Sequence, residues 1–67
     1  MPLVQITLAR GRTEEQLQAL GEAVTTAVHE AVGAPRGNVR VVITECEPEH
    51  WFVGGESLAA LRADGRR

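Results

Sequence analysis

The chain has 67 residues, a net charge of −2 and seven cationic side chains, all of them arginine. A chain this short buries only about 60% of its unfolded surface, so it is marginally stable alone. One cysteine excludes an intrachain disulfide, and His29, Cys46 and His50 lack zinc-ligand spacing. Oligomerisation therefore remains as the expected source of stability.

The composition also argues against several classes of function. The slightly negative charge and the scarcity of aromatic residues argue against a nucleic-acid partner. No membrane span or signal peptide is apparent, so we expect a cytoplasmic location and no membrane partner. We expect no metal, because zinc-ligand spacing is missing, and no cofactor, in keeping with the lack of a glycine-rich phosphate loop. Without lysine, Schiff-base chemistry on a side chain is excluded, and the guanidinium groups suit bidentate carboxylate binding.

A first strand is predicted over residues 2–8, because Val4, Ile6 and Leu8 fall on one face of an extended chain. A helix is predicted over about residues 13–32. It begins at a capping-box spacing, Thr13 with Gln16, and it ends before Gly33 and Pro35. Its expected buried stripe consists of Leu17, Leu20, Val24, Ala27, Val28 and Ala31.

A second strand is predicted over residues 39–45, which are rich in β-branched side chains. Val39, Val41 and Ile43 fall on one of its faces, and Arg40 falls on the other. Two strands joined by a long helix are expected to be parallel through a right-handed crossover. The predicted fold class is therefore α/β, a single β-α-β unit whose open edges favour pairing with another chain.

The C-terminal part carries weaker signals. Gly54-Gly55 suits a tight turn, so a short C-terminal hairpin is predicted. A short apolar segment follows, made of Leu58, Ala59 and Leu61. We expect it to pack on a neighbouring chain, since a lone subunit could hardly bury it. Residues 63–67 are expected to be a flexible tail of one domain that spans residues 1–67.

Three residues stand out as candidates for chemistry. Removal of Met1 would make Pro2 a terminal secondary amine and a potential base, although proline at this position also occurs without such a role. Arg12 near a helix start opposes the helix dipole, which mildly favours a functional role, although an arginine at such a place is more often a solvated turn residue. Arg40 needs a partner, either Glu45 of another chain or a ligand. A solvated acidic cluster is expected at Glu45, Glu47 and Glu49.

Three segments, MPLVQITLARGRTEEQ, NVRVVITE and HWFVGG, together resemble the 4-oxalocrotonate tautomerase family over roughly residues 2–62. The most specific parts are the initial Pro-apolar strand, the Gly-Arg-Thr turn, the Val-Arg-Val element and the aromatic-x-x-Gly-Gly hairpin. The resemblance implies the tautomerase (MIF-like) fold and a homohexamer, a trimer of dimers, with active sites at subunit boundaries. It also implies a cofactor-independent isomerase.

The resemblance implies a role for each matching residue. Pro2 would be the general base that takes a proton from a dienol hydroxyl and returns it to carbon. Arg12 would hold the distal carboxylate of the substrate, and Arg40 the carboxylate beside the reacting 2-oxo group. Trp51, where the family commonly has phenylalanine, and Leu8 would line the pocket. The implied reaction is enol–keto tautomerisation of an unsaturated 2-hydroxy/2-oxo dicarboxylate such as 2-hydroxymuconate.

Two other hypotheses remain open. One is a tautomerase of a biosynthetic pathway that acts on a bulkier enol, because Trp51 and Phe52 depart from the family pattern and would reshape the pocket. The other is a non-catalytic oligomeric binding module that keeps only the fold. In the sequence, the joint occurrence of Pro2, Arg12 and Arg40 is what favours an enzyme over such a module.

Overall fold

Two parallel strands joined by a long helix form the body of the subunit. The structure, a computed structural model, describes residues 1–65. Strand β1 (Leu3–Ala9) leads through helix α1 (Glu14–Val32) to strand β2 (Arg40–Cys46). The two strands pair in parallel along their whole lengths, with Leu3 opposite Arg40. The predicted β-α-β unit is confirmed, and each strand begins and ends one residue later than predicted.

Local hydrogen bonds explain this shift of one residue. The Val39 N–H donates to the Arg36 carbonyl at 3.1 Å, so it closes a 3₁₀ turn (Arg36–Asn38) instead of joining the sheet. At the opposite end, the Arg10 N–H donates to the Cys46 carbonyl at 2.9 Å and extends the pairing. The periodicity of the sequence locates the strands, whereas these bonds set their ends.

The two faces of the sheet differ in burial as the alternation predicts. One face carries half-buried apolar side chains from both strands, and α1 packs against β2. The other face is exposed and carries Leu3 and Val42 beside polar side chains. The unpacked face of the body therefore includes apolar groups that solvent reaches.

Helix α1 has the predicted capping box. The Gln16 N–H donates to Thr13 Oγ1 at 3.1 Å, and the Thr13 N–H donates to Gln16 Oε1 at 2.9 Å. Gly33 ends the helix with φ of 75°, a left-handed conformation that favours glycine. The predicted stripe is wrong at two positions, because Ala27 and Ala31 are exposed. The other members are half-buried, namely Leu17, Leu20, Val24 and Val28.

The predicted C-terminal hairpin is confirmed. Strands β3 (Phe52–Val53) and β4 (Glu56–Ser57) pair in antiparallel fashion. Gly54 and Gly55 connect them with φ values of 61° and 89°. Two consecutive positive φ values are what a type I′ hairpin turn requires, and glycine adopts them without a steric penalty.

The apolar segment after the hairpin folds into helix α2 (Leu58–Ala63), and the expectation that a lone subunit could hardly bury it is wrong for two of its residues. Leu58 and Leu61 are only 9% and 6% exposed within their own chain. Their spacing places them on one helix face, and α2 packs against the 3₁₀ turn Pro48–His50 and β4. The subunit therefore has a small second cluster of its own.

Helix α2 and the bonds that follow it reach into the predicted tail. Ala63, the first residue of the expected tail, is the last residue of α2. The N–H groups of Asp64 and Gly65 then donate to the carbonyls of Ala60 and Arg62 at 3.3 and 3.2 Å. Residues 66 and 67, the rest of that predicted tail, lie outside the described residues.

The subunit is elongated and has little core for its length. Its radius of gyration is 15.1 Å, whereas a compact chain of this length has about 11 Å. Its accessible surface is 4716 Å², against about 4,100 Å² for a folded monomer of the same mass. Within the part of the chain described, neither helix has the length and hydropathy needed to cross a membrane.

Candidate functional site

Pro2 and Arg40 lie side by side where the two parallel strands begin. The Arg40 backbone N–H donates to the Pro2 carbonyl at 2.9 Å, and this bond continues the sheet by one step beyond Leu3. The Arg40 side chain lies on the exposed face with Leu3 and Val42. Its Nη1 donates to the Gly37 carbonyl at 2.8 Å. The guanidinium group is therefore held over the turn that precedes β2.

Pro2 is half-buried, whereas Met1 is 80% exposed. With Met1 in place, the Pro2 nitrogen belongs to a peptide bond and is not basic. Loss of Met1 would free this nitrogen as a secondary amine. It would also remove a residue that buries little of its own surface. The Pro2 carbonyl would keep its bond to the Arg40 N–H, because that bond does not involve the nitrogen.

Leu8 and Arg12 lie at the opposite end of the sheet. Leu8 is half-buried and stands opposite Glu45 on β2. Arg12 lies in the loop before α1, and its Nη1 donates to the Ala9 carbonyl at 2.8 Å. A strand rises about 3.3 Å per residue, so Pro2 and Leu8 of one chain are separated by roughly 20 Å. One subunit therefore does not bring Arg12 to its own Pro2.

Trp51 follows β2 and precedes the hairpin. It is half-buried, and its carbonyl accepts a hydrogen bond from the Leu58 N–H at 2.7 Å, which ties it to the start of α2. Its neighbour Phe52 is 62% exposed. The aromatic pair therefore belongs to the C-terminal segment, which the chain enters from the end of the sheet that carries Leu8.

Arg10 is a charged group that the sequence reasoning missed. Its Nε donates to Glu47 Oε1, and its Nη1 lies 3.5 Å from Glu45 Oε1. The hydrogen bond to Glu47, and then the negative charges of Glu47 and Glu45, raise the pKa of Arg10. The predicted solvated acidic cluster is therefore wrong for Glu45, which is half-buried, whereas Glu47 is paired but exposed. The signal was available, because parallel register places the residue after β1 beside the end of β2.

Four arginines within residues 1–65 form the side-chain bonds described here, and these four divide into two kinds. The ion pairs formed within residues 1–65 belong to Arg10 and to Arg36, whose Nη2 lies 3.0 Å from Glu22 Oε1. Arg12 and Arg40 bond instead to backbone carbonyls. A carbonyl neutralises no charge, so these two guanidinium groups keep their positive charge available to an anion. Across residues 1–65, no three His, Cys, Asp or Glu side chains form a group that could hold a metal ion.

Comparisons with known proteins agree on one family. Residues 2–61 match the family described as Tautomerase enzyme. The 2-hydroxymuconate tautomerase of Comamonas testosteroni is 49% identical over 61 residues, which cover 91% of this chain and 97% of that protein.

Two solved structures extend this comparison. TomN, a 4-oxalocrotonate tautomerase homologue in the tomaymycin biosynthetic pathway, has a TM-score of 0.90 at 52% identity and covers 92% of this chain and 95% of its own. A heterohexamer 4-oxalocrotonate tautomerase from Chloroflexus aurantiacus has a TM-score of 0.87 at 44% identity, over 92% of this chain and 100% of its own. The chain therefore belongs to the tautomerase family of isomerases and has the fold of the 4-oxalocrotonate tautomerases.

Proposed function

We propose that the chain, after removal of Met1, catalyses enol–keto tautomerisation of an unsaturated 2-hydroxy/2-oxo dicarboxylate such as 2-hydroxymuconate. The observation that carries the proposal is the position of Pro2, half-buried at the start of β1 and fixed through its carbonyl to Arg40. The similarity to a protein named 2-hydroxymuconate tautomerase supports this choice of substrate.

Pro2 is the general base of the proposed reaction. Its free nitrogen takes the proton of the dienol hydroxyl, the electron pair moves through the conjugated system, and the resulting ammonium returns the proton to carbon. The amine must be neutral to accept the first proton. Nearby arginine charges and apolar walls both disfavour the ammonium form. Trp51 lies toward the Leu8 end of its own chain, so it would join those walls from another subunit. A positioned base contributes about 10²–10⁴-fold to the rate.

Arg40 and Arg12 bind the two ends of the substrate in this proposal. Arg40 holds the carboxylate beside the 2-oxo group and stabilises the charge that develops on its oxygen. Arg12 holds the distal carboxylate. Because Arg12 bonds to the carbonyl of Ala9, beyond the Leu8 that is roughly 20 Å from Pro2, the Arg12 that serves a given Pro2 comes from another subunit. The proposed site is therefore shared between chains.

We propose a homohexamer, a trimer of dimers, as the assembly that builds this site. The subunit exposes more surface than a monomer of its mass should, and that surface includes Leu3, Val42 and Phe52. Both edges of the two-stranded sheet are also open within residues 1–65. A heterohexamer 4-oxalocrotonate tautomerase among the similar structures supports the hexameric arrangement.

The direct test of the function is an ultraviolet assay of 2-hydroxymuconate ketonisation with the processed chain, whose mass shows that Met1 is absent. We expect acceleration over buffer that saturates with substrate and requires no added metal or cofactor. A processed, oligomeric chain that leaves the buffer rate unchanged would contradict the proposal.

A second candidate is tautomerisation of a bulkier enol in biosynthesis. The similarity to TomN favours it, as do the two large rings at Trp51 and Phe52. The discriminating measurement is kcat/KM for 2-hydroxymuconate against that for an aromatic monocarboxylate such as phenylenolpyruvate. A preference for the dicarboxylate supports the first candidate, whereas a preference for the aromatic enol supports the second.

The shared site predicts subunit complementation. We expect light scattering to show a hexamer at micromolar concentration for wild type, Pro2→Ala and Arg12→Ala. When the two variants are unfolded together and refolded as mixed hexamers, about a quarter of the sites should combine an intact Pro2 with an intact Arg12. At substrate concentrations well below KM, activity should then rise above that of either variant refolded alone. A folded monomer, or mixtures no more active than their components, would exclude a site shared in this way.

A further inference from the structure

A cross-link between α1 and the turn before β2 is not used by the proposed reaction. Arg36 Nη2 donates to Glu22 Oε1 at 3.0 Å, and Arg36 Nη1 donates to Thr26 Oγ1 at 2.8 Å. Glu22 and Thr26 are four residues apart and therefore neighbours on α1. We call these three residues the Arg36 clasp. Because two nitrogens of one planar group reach two acceptors, the clasp fixes the orientation of the guanidinium plane.

Hydrogen bonds connect the clasp through the 3₁₀ turn to Arg40, a candidate site residue. Arg36 begins the turn, and its carbonyl accepts the Val39 N–H at 3.1 Å. The next residue, Gly37, presents the carbonyl that accepts Arg40 Nη1 at 2.8 Å. A continuous chain of bonds thus runs from α1 through Arg36 and the turn to the Arg40 guanidinium.

A simpler explanation is that the clasp is only a surface ion pair. The Arg36 and Glu22 side chains are 43% and 73% exposed, and ion pairs this exposed contribute little to stability. That explanation accounts for the Glu22 contact but gives no role to the Thr26 bond or to the bond from Arg40 to the Gly37 carbonyl. The two explanations also differ in what they expect of catalysis, since a surface ion pair leaves the orientation of Arg40 unaffected.

We propose that Arg36 is a positioning residue, which orients the Arg40 guanidinium through the Gly37 carbonyl. The proposal rests on the proposed function, in which Arg40 binds the carboxylate beside the reacting centre. Without the clasp, the turn moves more freely and Arg40 samples orientations that do not bind substrate productively. The loss falls on kcat, the parameter that Arg40 itself serves.

The test uses the full processed chain and 2-hydroxymuconate. Arg36→Met, which keeps the length of the stem, should lower kcat about three- to tenfold, with less effect on KM. Thr26→Val should have a smaller effect in the same direction, and Arg36→Lys should recover part of the loss because an ammonium reaches only one acceptor well. Glu30→Gln removes an exposed carboxylate of α1 outside the clasp and serves as the control.

A double-mutant cycle separates positioning from general destabilisation. In the Arg40→Ala background, Arg36→Met should cost little further kcat, since the group that it positions is already gone. An equal loss in both backgrounds, or an unchanged kcat with only a lowered Tm, would overturn the proposal.

An independent readout keeps this proposal distinct from the proposed function. In arginine-labelled protein, nuclear magnetic resonance reports the rotation of each guanidinium group, and loss of a signal in Arg40→Ala assigns that of Arg40. We expect restricted rotation in the wild type and faster rotation in Arg36→Met. If wild type shows no tautomerase activity but Arg40 still loosens in Arg36→Met, the function fails and the positioning stands. Equal rotation in the two proteins would refute the positioning.

Discussion

An uncleaved extension before Pro2 should lower kcat/KM for 2-hydroxymuconate by at least about 100-fold, the usual contribution of a positioned base. The extension converts the Pro2 nitrogen into an amide, whose lone pair is delocalised and accepts no proton at neutral pH. The fold should survive, because the Pro2 carbonyl keeps its bond to Arg40. The measurement compares tagged and processed chains at equal protomer concentration, with light scattering to show equal assembly.

Pro2→Ala is the matched variant for this experiment. It keeps a terminal amine, now a primary one that has lost the rigid ring, so some activity should remain. The expected order of activity is therefore processed wild type, then Pro2→Ala, then the tagged chain. If tagged and processed chains ketonised the substrate at the same rate, Pro2 would not be the base.

Removal of either proposed carboxylate-binding arginine should produce the second large effect. A lost charge-assisted hydrogen bond costs about 1.5–3 kcal/mol, or roughly 10- to 150-fold. Arg40→Ala should lower kcat, because Arg40 serves the end of the substrate where charge develops. Arg12→Ala should mainly raise KM for dicarboxylates, because the distal carboxylate keeps its charge throughout the reaction.

A comparison of a monocarboxylate with a dicarboxylate substrate tests the role of Arg12 more specifically. Arg12→Ala should affect a monocarboxylate enol far less than 2-hydroxymuconate, since the former has no distal carboxylate to lose. Arg62→Ala removes an exposed arginine of α2 and should change neither parameter. Unchanged kinetics in both Arg12→Ala and Arg40→Ala would exclude a two-arginine site.

Much of the fold was predictable because its signals are local. The alternation in β1, the capping box at Thr13 and the turn at Gly54-Gly55 each act within a few residues, and each is present in the structure. The burial of Leu58 and Leu61 was not predictable in the same way, since it depends on how α2 returns to the turn at residues 48–50.

The sequence supplied candidate site residues but not their arrangement. Sequence pattern and resemblance singled out Pro2, Arg12 and Arg40, but the separation of Arg12 from Pro2 follows only from the strand between them. The bonds of Arg10 and of Arg36 were missed for a related reason. Each joins groups distant in sequence. Parallel pairing of the strands was a usable signal for Arg10, whereas the bonds of Arg36 depend on the packing of the turn on α1.

The bond from the Arg40 N–H to the Pro2 carbonyl reduces the conformational entropy that Pro2 would lose when a substrate binds. The first residues of a chain usually fray, and a base carried on such a residue would have to be ordered each time a substrate binds. Here the pyrrolidine ring prevents rotation about the N–Cα bond, and the carbonyl is held at 2.9 Å by the neighbouring strand. The first residue of the processed chain would therefore be ordered when the enzyme folds, and substrate binding would not have to supply that entropy.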